Sequence, residues 1–374
     1  MSLTGWALPS LLALVALALF VVIVAGRPRR GGVAGILGRA TAAVSMCAAV
    51  VATCAVVLND HYLFFVTWTD VLDNGSSAST TVSRGALPAV ADTLPPAVTV
   101  APATAVLAPL PAPGQQWQTY TVKGARTGLV GQVLVYLPKG YDPNSGVRYP
   151  VIEALHGWPG GPTAVNHELN LDTTFQSLVD AHRVAPPIVV MPQINIPLTL
   201  DTECVNAPTG QGPQTMSWLG QDIPTWIGTH FRVADRRTSW LVLGASYGGW
   251  CAANVGLHYP ATFGGAVSFL GYNSPEFAPA YVPFKSDPAG LKTYQLVSVA
   301  GHHPPPIALW LMASKEDHSA YAALVALLKA ARPPLSVTAH VLHHGGHNVA
   351  TIPPTEAAMV SWLVKTLPGF APHA

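Results

Sequence analysis

The stretch Trp240–Ala252, "WLVLGASYGGWCA", decides the reading of this chain. An apolar run from Trp240 to Leu243 stops at Ser246, which stands between Gly244 and Gly248. A short apolar run bounded by turn residues reads as a buried strand. Glycine has no Cβ, so the chain can turn sharply at 244 and 248 and other backbone can approach closely. A strand, G-x-S-x-G and then a helix is the pattern of a turn that presents a serine Oγ at the end of a sheet. A chain with 33 glycines can match that pattern by chance, so the neighbouring sequence has to carry the case.

Working outward, the sequence alternates. "WQTYTVKG" and "GQVLVYLP" read as a hairpin, "YPVIEALHG" as a buried strand, and "TTFQSLVDAHRV" as a helix. Next come "PPIVVMPQ" as a strand and "SWLGQDIPTWIGTHF" as a helix interrupted at Pro224. Beyond the serine a helix spans about Gly248 to His258, followed by the strand "FGGAVSFLG". Later "IALWLMAS" and "LSVTAHVLH" read as strands, with helices "SAYAALVALLKAA" and "TEAAMVSWLVKTL" after them. Such alternation predicts an α/β fold, a mostly parallel sheet flanked by helices. Sites in these sheets form at the carboxyl ends of the strands. The segment Gly271 to Pro306, between two strands, is either a cap over a pocket or a plain connector.

Three further strand ends supply chemistry. A serine hydroxyl is a weak nucleophile until a base takes its proton. "HVLHHGGHNVA" offers His343, His344 and His347. His347 is preferred because Gly345 and Gly346 form a loop able to carry its ring over the sheet edge, with His344 second. "LMASKEDHS" supplies Glu316 and Asp317. Asp317, fourth in that turn, is the preferred acid, which would fix the imidazole tautomer. Its alternative reading is as cap of the following helix. "LHGWPGG" completes the set: the N–H groups of Trp158 and Tyr247 are the expected oxyanion donors, worth roughly 3–4 kcal/mol each. A plain turn is the other reading of that stretch. His302 and His303, with "HHGGH", raise the question of a metal, but no H-E-x-x-H spacing is present, so neither a metal nor a cofactor is expected.

The N-terminal part has a different character. Residues 6–25 and 40–58 are uncharged and long enough to cross a bilayer. Arg27, Arg29, Arg30 and Arg39 lie between them, so the positive-inside rule places that loop in the cytoplasm and both flanks outside. A single anchor and a cleaved signal are the rival readings, the latter lacking its basic n-region. The organisation expected is a two-helix membrane hairpin over 1–59, a Pro/Ala-rich extracytoplasmic spacer over 60–115, and a catalytic domain over 116–374. Within the spacer, "HYLFFVTW" carries aromatics suited to a membrane interface. Only 10% of residues are charged and the net charge is +1, which argues against nucleic acid as a partner. Cys47 and Cys54 fall in the second apolar stretch, whereas Cys204 and Cys251 fall in the outer domain and are expected to form a disulfide that braces the serine's helix.

Taken together, "LHGWPGG", "DTECVN", "GASYGGWCA", the acid after "LWLMAS" and "HHGGHN" resemble the putative-esterase family (esterase D / antigen 85-type) of the α/β-hydrolases. The resemblance covers roughly Trp117 to Leu367, and the membrane-anchored, Ala/Pro-rich layout is similar to actinobacterial members. It implies Ser246 as nucleophile, Asp317 as acid and His347 as base. It also implies a serine esterase or acyltransferase acting on acyl esters, including lipids or glycolipids. The family includes mycolyltransferases, which acylate trehalose or cell-wall sugars. Here Tyr247, Gly248 and Gly249 follow the serine as in the esterases, and the usual Glu acid of the transferases keeps Glu316 as the alternative to Asp317. A non-catalytic envelope-binding protein on the same scaffold is the reading from another class.

Overall fold

The computed structural model describes residues 3–25, 33–72, 78–85, 91–102, 107 and 116–372. Among these residues nine strands form one sheet, in the order β1-β9-β8-β7-β6-β4-β5-β3-β2. They are β1 Ser79–Arg84, β2 Trp117–Lys123, β3 Val130–Tyr136, β4 Val151–Leu155, β5 Ile188–Pro192, β6 Trp240–Ala245, β7 Gly265–Phe269, β8 Ala308–Ser314 and β9 Ser336–Leu342. From β5 through β9 the six central strands run parallel, while β2, β3 and β1 are antiparallel additions at the two edges. The parallel strands β4 to β8 are buried along their whole length, as expected of strands covered by helices on both faces. Trp218, Trp240, Trp250 and Trp310 are fully buried among them. This is the α/β architecture that the alternation predicts, a mostly parallel sheet flanked by helices, and it agrees with the α/β-hydrolase fold that the resemblance implies.

Because β4, β6, β8 and β9 are parallel, their carboxyl ends share one rim. "LHGWPGG", Ser246, the Glu316-Asp317 turn and "HHGGHN" all leave from that rim, which is how four distant stretches meet. The helical run over 215–230 is continuous, and Pro224 interrupts its α-helical bonding as expected. A π turn at Trp218–Asp222, closed by Ile223 N–H on Trp218 O, stands just before it, and the α-helix Ile223–His230 follows.

The N-terminal hairpin consists of α1, Ala7–Ala25, and α2, Val33–Tyr62. Gly5 N–H donates to Asp60 Oδ1 at 2.6 Å, so the start of α1 lies beside the end of α2. Both helices are long and apolar enough to cross a membrane, and side chains such as Leu14, Val24, Ile36 and Val44 point outward. Arg27, Arg29 and Arg30 lie outside the described residues.

The stretch 60–115, expected as a spacer, is in its described parts docked on the domain. β1 pairs with β9 from Ser79↔Leu342 to Arg84↔Val337. Asp92 takes the N–H and the hydroxyl of Thr238, at 2.9 and 2.8 Å, and Val98 and Ala101 are buried. Prolines block ladder pairing locally but leave carbonyls and side chains free to bind, which is why a Pro/Ala-rich segment can still attach.

Candidate active site

Ser246 ends β6 with φ 55° and ψ −119°, a region that L-residues avoid at about 1–3 kcal/mol. The turn is held by close backbone packing. A Cβ on Gly248 would lie 2.0 Å from Leu155 O, and one on Gly244 would lie 2.3 Å from Gly248 O. Only glycine fits at either position. Ser246 N–H donates to Phe269 O at 2.8 Å, locking the turn to β7. The helix Tyr247–His258 then begins directly beneath the hydroxyl.

Three predicted residues meet in series. His347 Nε2 lies 2.8 Å from Ser246 Oγ, and His347 Nδ1 lies 2.6 Å from Asp317 Oδ2. A carboxylate only accepts, so the Nδ1 proton points to Asp317 and the Nε2 lone pair faces the serine hydroxyl. Asp317 divides its two oxygens. Oδ2 faces His347, while Oδ1 takes the N–H of Ala320 at 3.1 Å and caps the helix His318–Ala330. One carboxylate thus meets both the His347 ring and the helix start. Its side chain is buried and the histidine is one-quarter exposed, so the acid is shielded while the ring reaches the open rim.

The neighbouring candidates lie elsewhere. Glu316 does not reach His347; its Oε1 is 3.0 Å from His344 Nδ1, and its Oε2 accepts Gly345 N–H at 2.9 Å. His344 is largely exposed, and His343 Nε2 faces Thr80 Oγ1 on β1. His302, at the end of the helix Leu296–His302, bonds its own backbone at Ser298. Among the described residues no cluster of three or more His, Cys, Asp or Glu has metal-binding geometry.

Of the two expected oxyanion donors, Tyr247 follows the serine directly and Trp158 stands further off in the chain. Tyr247 is the first helical residue, and its N–H has no intrahelical acceptor. Trp158 lies on the loop after β4, with its ring 6.2 Å from that of Tyr247. That loop is fastened by His156, fully buried, whose Nδ1 donates to Gly157 O at 2.8 Å while Nε2 accepts Ile194 N–H at 3.1 Å. Burial lowers its pKa to about 4, so the ring is neutral and this tautomer is fixed.

A second loop braces the elbow, and the sequence shows only part of it. Cys204 and Cys251 form a disulfide across 47 residues. Beside it Trp250 Nε1 donates to Glu203 O at 3.1 Å, and Tyr247 OH donates to Asn195 Oδ1 at 2.8 Å. The Glu203 carboxyl receives Tyr272 OH at 2.9 Å; burial, then the nearby Asp201, pushes its pKa up to about 8. Cysteine content signals this brace; the Asn195, Glu203 and His156 anchors have no comparable signature.

A family described as "Putative esterase" matches residues 125–360, 63% of the chain. An uncharacterized protein of Corynebacterium glutamicum is 29% identical over 140 residues, 37% of this chain and 32% of its own length. The chain thus spans about a third of that relative. Among solved structures, the fold resembles a ferulic acid esterase with TM-score 0.53 and 18% identity, covering 68% of this chain and 98% of that one. It also resembles an S-formylglutathione hydrolase from Agrobacterium tumefaciens, with TM-score 0.53 and 17% identity over 67% and 95% of the two chains. A fluorophosphonate-binding serine hydrolase of Staphylococcus aureus gives 0.52 and 15%, over 66% and 98%. At these identities the likeness is one of fold.

Proposed function

The chain belongs to the "Putative esterase" family, and from that premise we propose that it is a serine esterase of acyl esters, tethered to a membrane by α1 and α2 with its domain outside the cytoplasm. The observation that carries the reading is the pair of contacts in series, 2.8 Å from Ser246 to His347 and 2.6 Å from His347 to Asp317. Ser246 Oγ attacks the ester carbonyl carbon as His347 Nε2 takes the hydroxyl proton. Asp317 stabilises the imidazolium that results. The carbonyl oxygen becomes an oxyanion, for which the N–H groups of Tyr247 and Trp158 are the donors. The intermediate collapses by breaking the bond to the leaving alkoxide, which receives the proton from His347. An acyl group is left on Ser246. Water then attacks that acyl carbon, giving its proton to His347, and the acid is released as Ser246 recovers its proton.

A fluorophosphonate probe on the folded full-length chain tests this. Labelling at Ser246, lost in Ser246→Ala and slowed in His347→Ala, is expected. A folded chain that takes no label would instead favour a non-catalytic binding protein. Supplying an acyl donor with and without trehalose tests hydrolysis directly: free acid should form at the same rate in both, and acylated sugar would replace hydrolysis by transfer.

A further inference from the structure

The stretch "HYLFFVTW" is more than a membrane-interface segment. α2 ends at Tyr62, and Leu63 turns the chain through a left-handed conformation, φ 54°. The Leu63 carbonyl then accepts the backbone N–H of His347 at 2.8 Å. The next carbonyl, that of Phe64, accepts the side-chain amide of Asn348. Between them Gly346 passes so close that a Cβ there would lie 2.2 Å from Phe64 O and 2.3 Å from Leu63 O.

The segment is itself pinned from both sides. Asn59, in the last turn of α2, accepts Phe65 N–H through Oδ1 and donates Nδ2–H to Phe65 O, at 2.8 Å each. Asp70 Oδ2 accepts the N–H groups of Val66 and Thr67, both at 2.9 Å. Further on, Ala78 O accepts His343 N–H at 2.9 Å before β1 joins the sheet. The histidine loop is thus bracketed outside by the N-terminal segment and inside by Glu316.

We propose that residues 63–65 are a positioning element of the site: the carbonyls of Leu63 and Phe64 hold the loop that carries His347 in line with Ser246. This rests on the esterase reading above. It gives the end of α2 a role beyond tethering, because Asn59 sets the strap and the strap sets the base.

The test uses the full-length chain in lipid nanodiscs. Asn59→Ala removes both bonds to Phe65 while touching neither the serine nor the histidine. Fluorophosphonate labelling at Ser246 should slow about tenfold, as expected for one to two lost hydrogen bonds. For ester turnover, kcat should fall with KM unchanged, and the acidic limb of the pH profile should move. The domain's melting temperature should stay put. Asn348→Ala, which removes the contact with Phe64 from the other side, should give the same signature, and Asn59→Asp, which keeps one acceptor for Phe65, should recover part of the rate. Labelling within twofold of wild type in both alanine variants would overturn the proposal, as would a loss that only tracks unfolding. Failure of the wild-type chain to label at all would instead remove the esterase reading beneath it.

Discussion

The Ser246 side of the candidate site is held from within, by buried contacts. Gly244 and Gly248 leave no room for a Cβ, Trp250 is fully buried, and a disulfide joins the helix to the loop in front of it. The His347 side is held from the surface. His347 is one-quarter exposed, and its loop is fixed by Glu316 and by carbonyls from residues 63 and 64. Packing and covalent links tie geometry to stability, whereas a few polar contacts at a rim can set geometry with little bearing on whether the domain folds. The two sides should therefore respond differently to substitution.

The largest separation is expected at Ser246. If Ser246 is the nucleophile, Ser246→Gly should remove activity by about 10⁶-fold, the scale seen for loss of a serine nucleophile. It should also raise stability by about 1 kcal/mol, since glycine tolerates the positive φ that serine holds under strain. Denaturant unfolding measures the second effect, and a stability loss would mean that the turn is not strained. Next in size, replacing Cys204 and Cys251 together by serine should cost about 4 kcal/mol by the loop-closure argument. A loss below about 1 kcal/mol, read from the same unfolding curves, would put the brace in the polar contacts of Asn195 and Glu203 instead.

On the His347 side, Glu316→Ala deletes two contacts with the loop. Ester turnover should fall about tenfold while stability changes by less than about 1 kcal/mol. A stability loss as large as that of the disulfide variant would erase the contrast between the two sides. The weakest signal is the pH dependence of stability. His156 is held at about 4, below its ordinary value, so its contribution is present above pH 6.5 and is lost as pH falls through 4. Glu203 is raised to about 8, so its contribution is complete below the ordinary carboxylate range and is lost as pH rises through 8. Glu203→Gln should remove the fall in stability that runs between about pH 4.5 and 8 and leave the curve below that window unchanged.

The sequence made one of these sides far more legible than the other. Strands β4 to β8 are apolar apart from Glu153, Ser268 and Ser314, and glycines mark the turn at Ser246 because sterics leave no substitute. Asp317 was separable from Glu316 only by its place in a turn, which side-chain type does not encode. β1 carries no such mark: "STTVSR" is exposed along its whole length and polar but for Val82, so no alternation sets it apart. Residues 63–65 stand out in sequence for their aromatic side chains, yet their contacts with 346–348 run through carbonyl oxygens that every residue has. The helix Pro162–Leu169 is equally unmarked, since its start resembles a continuation of the "GWPGG" turn.

That unmarked edge strand bears on how the domain is to be excised. A fragment begun at residue 116 would strip β1 from β9 and leave a bare row of backbone donors and acceptors from Ser336 to Leu342. Uncovered rows of this kind recruit strands from neighbouring molecules, so such a fragment would self-associate whatever its interior packing. Retaining residues 78–85 would keep that border closed.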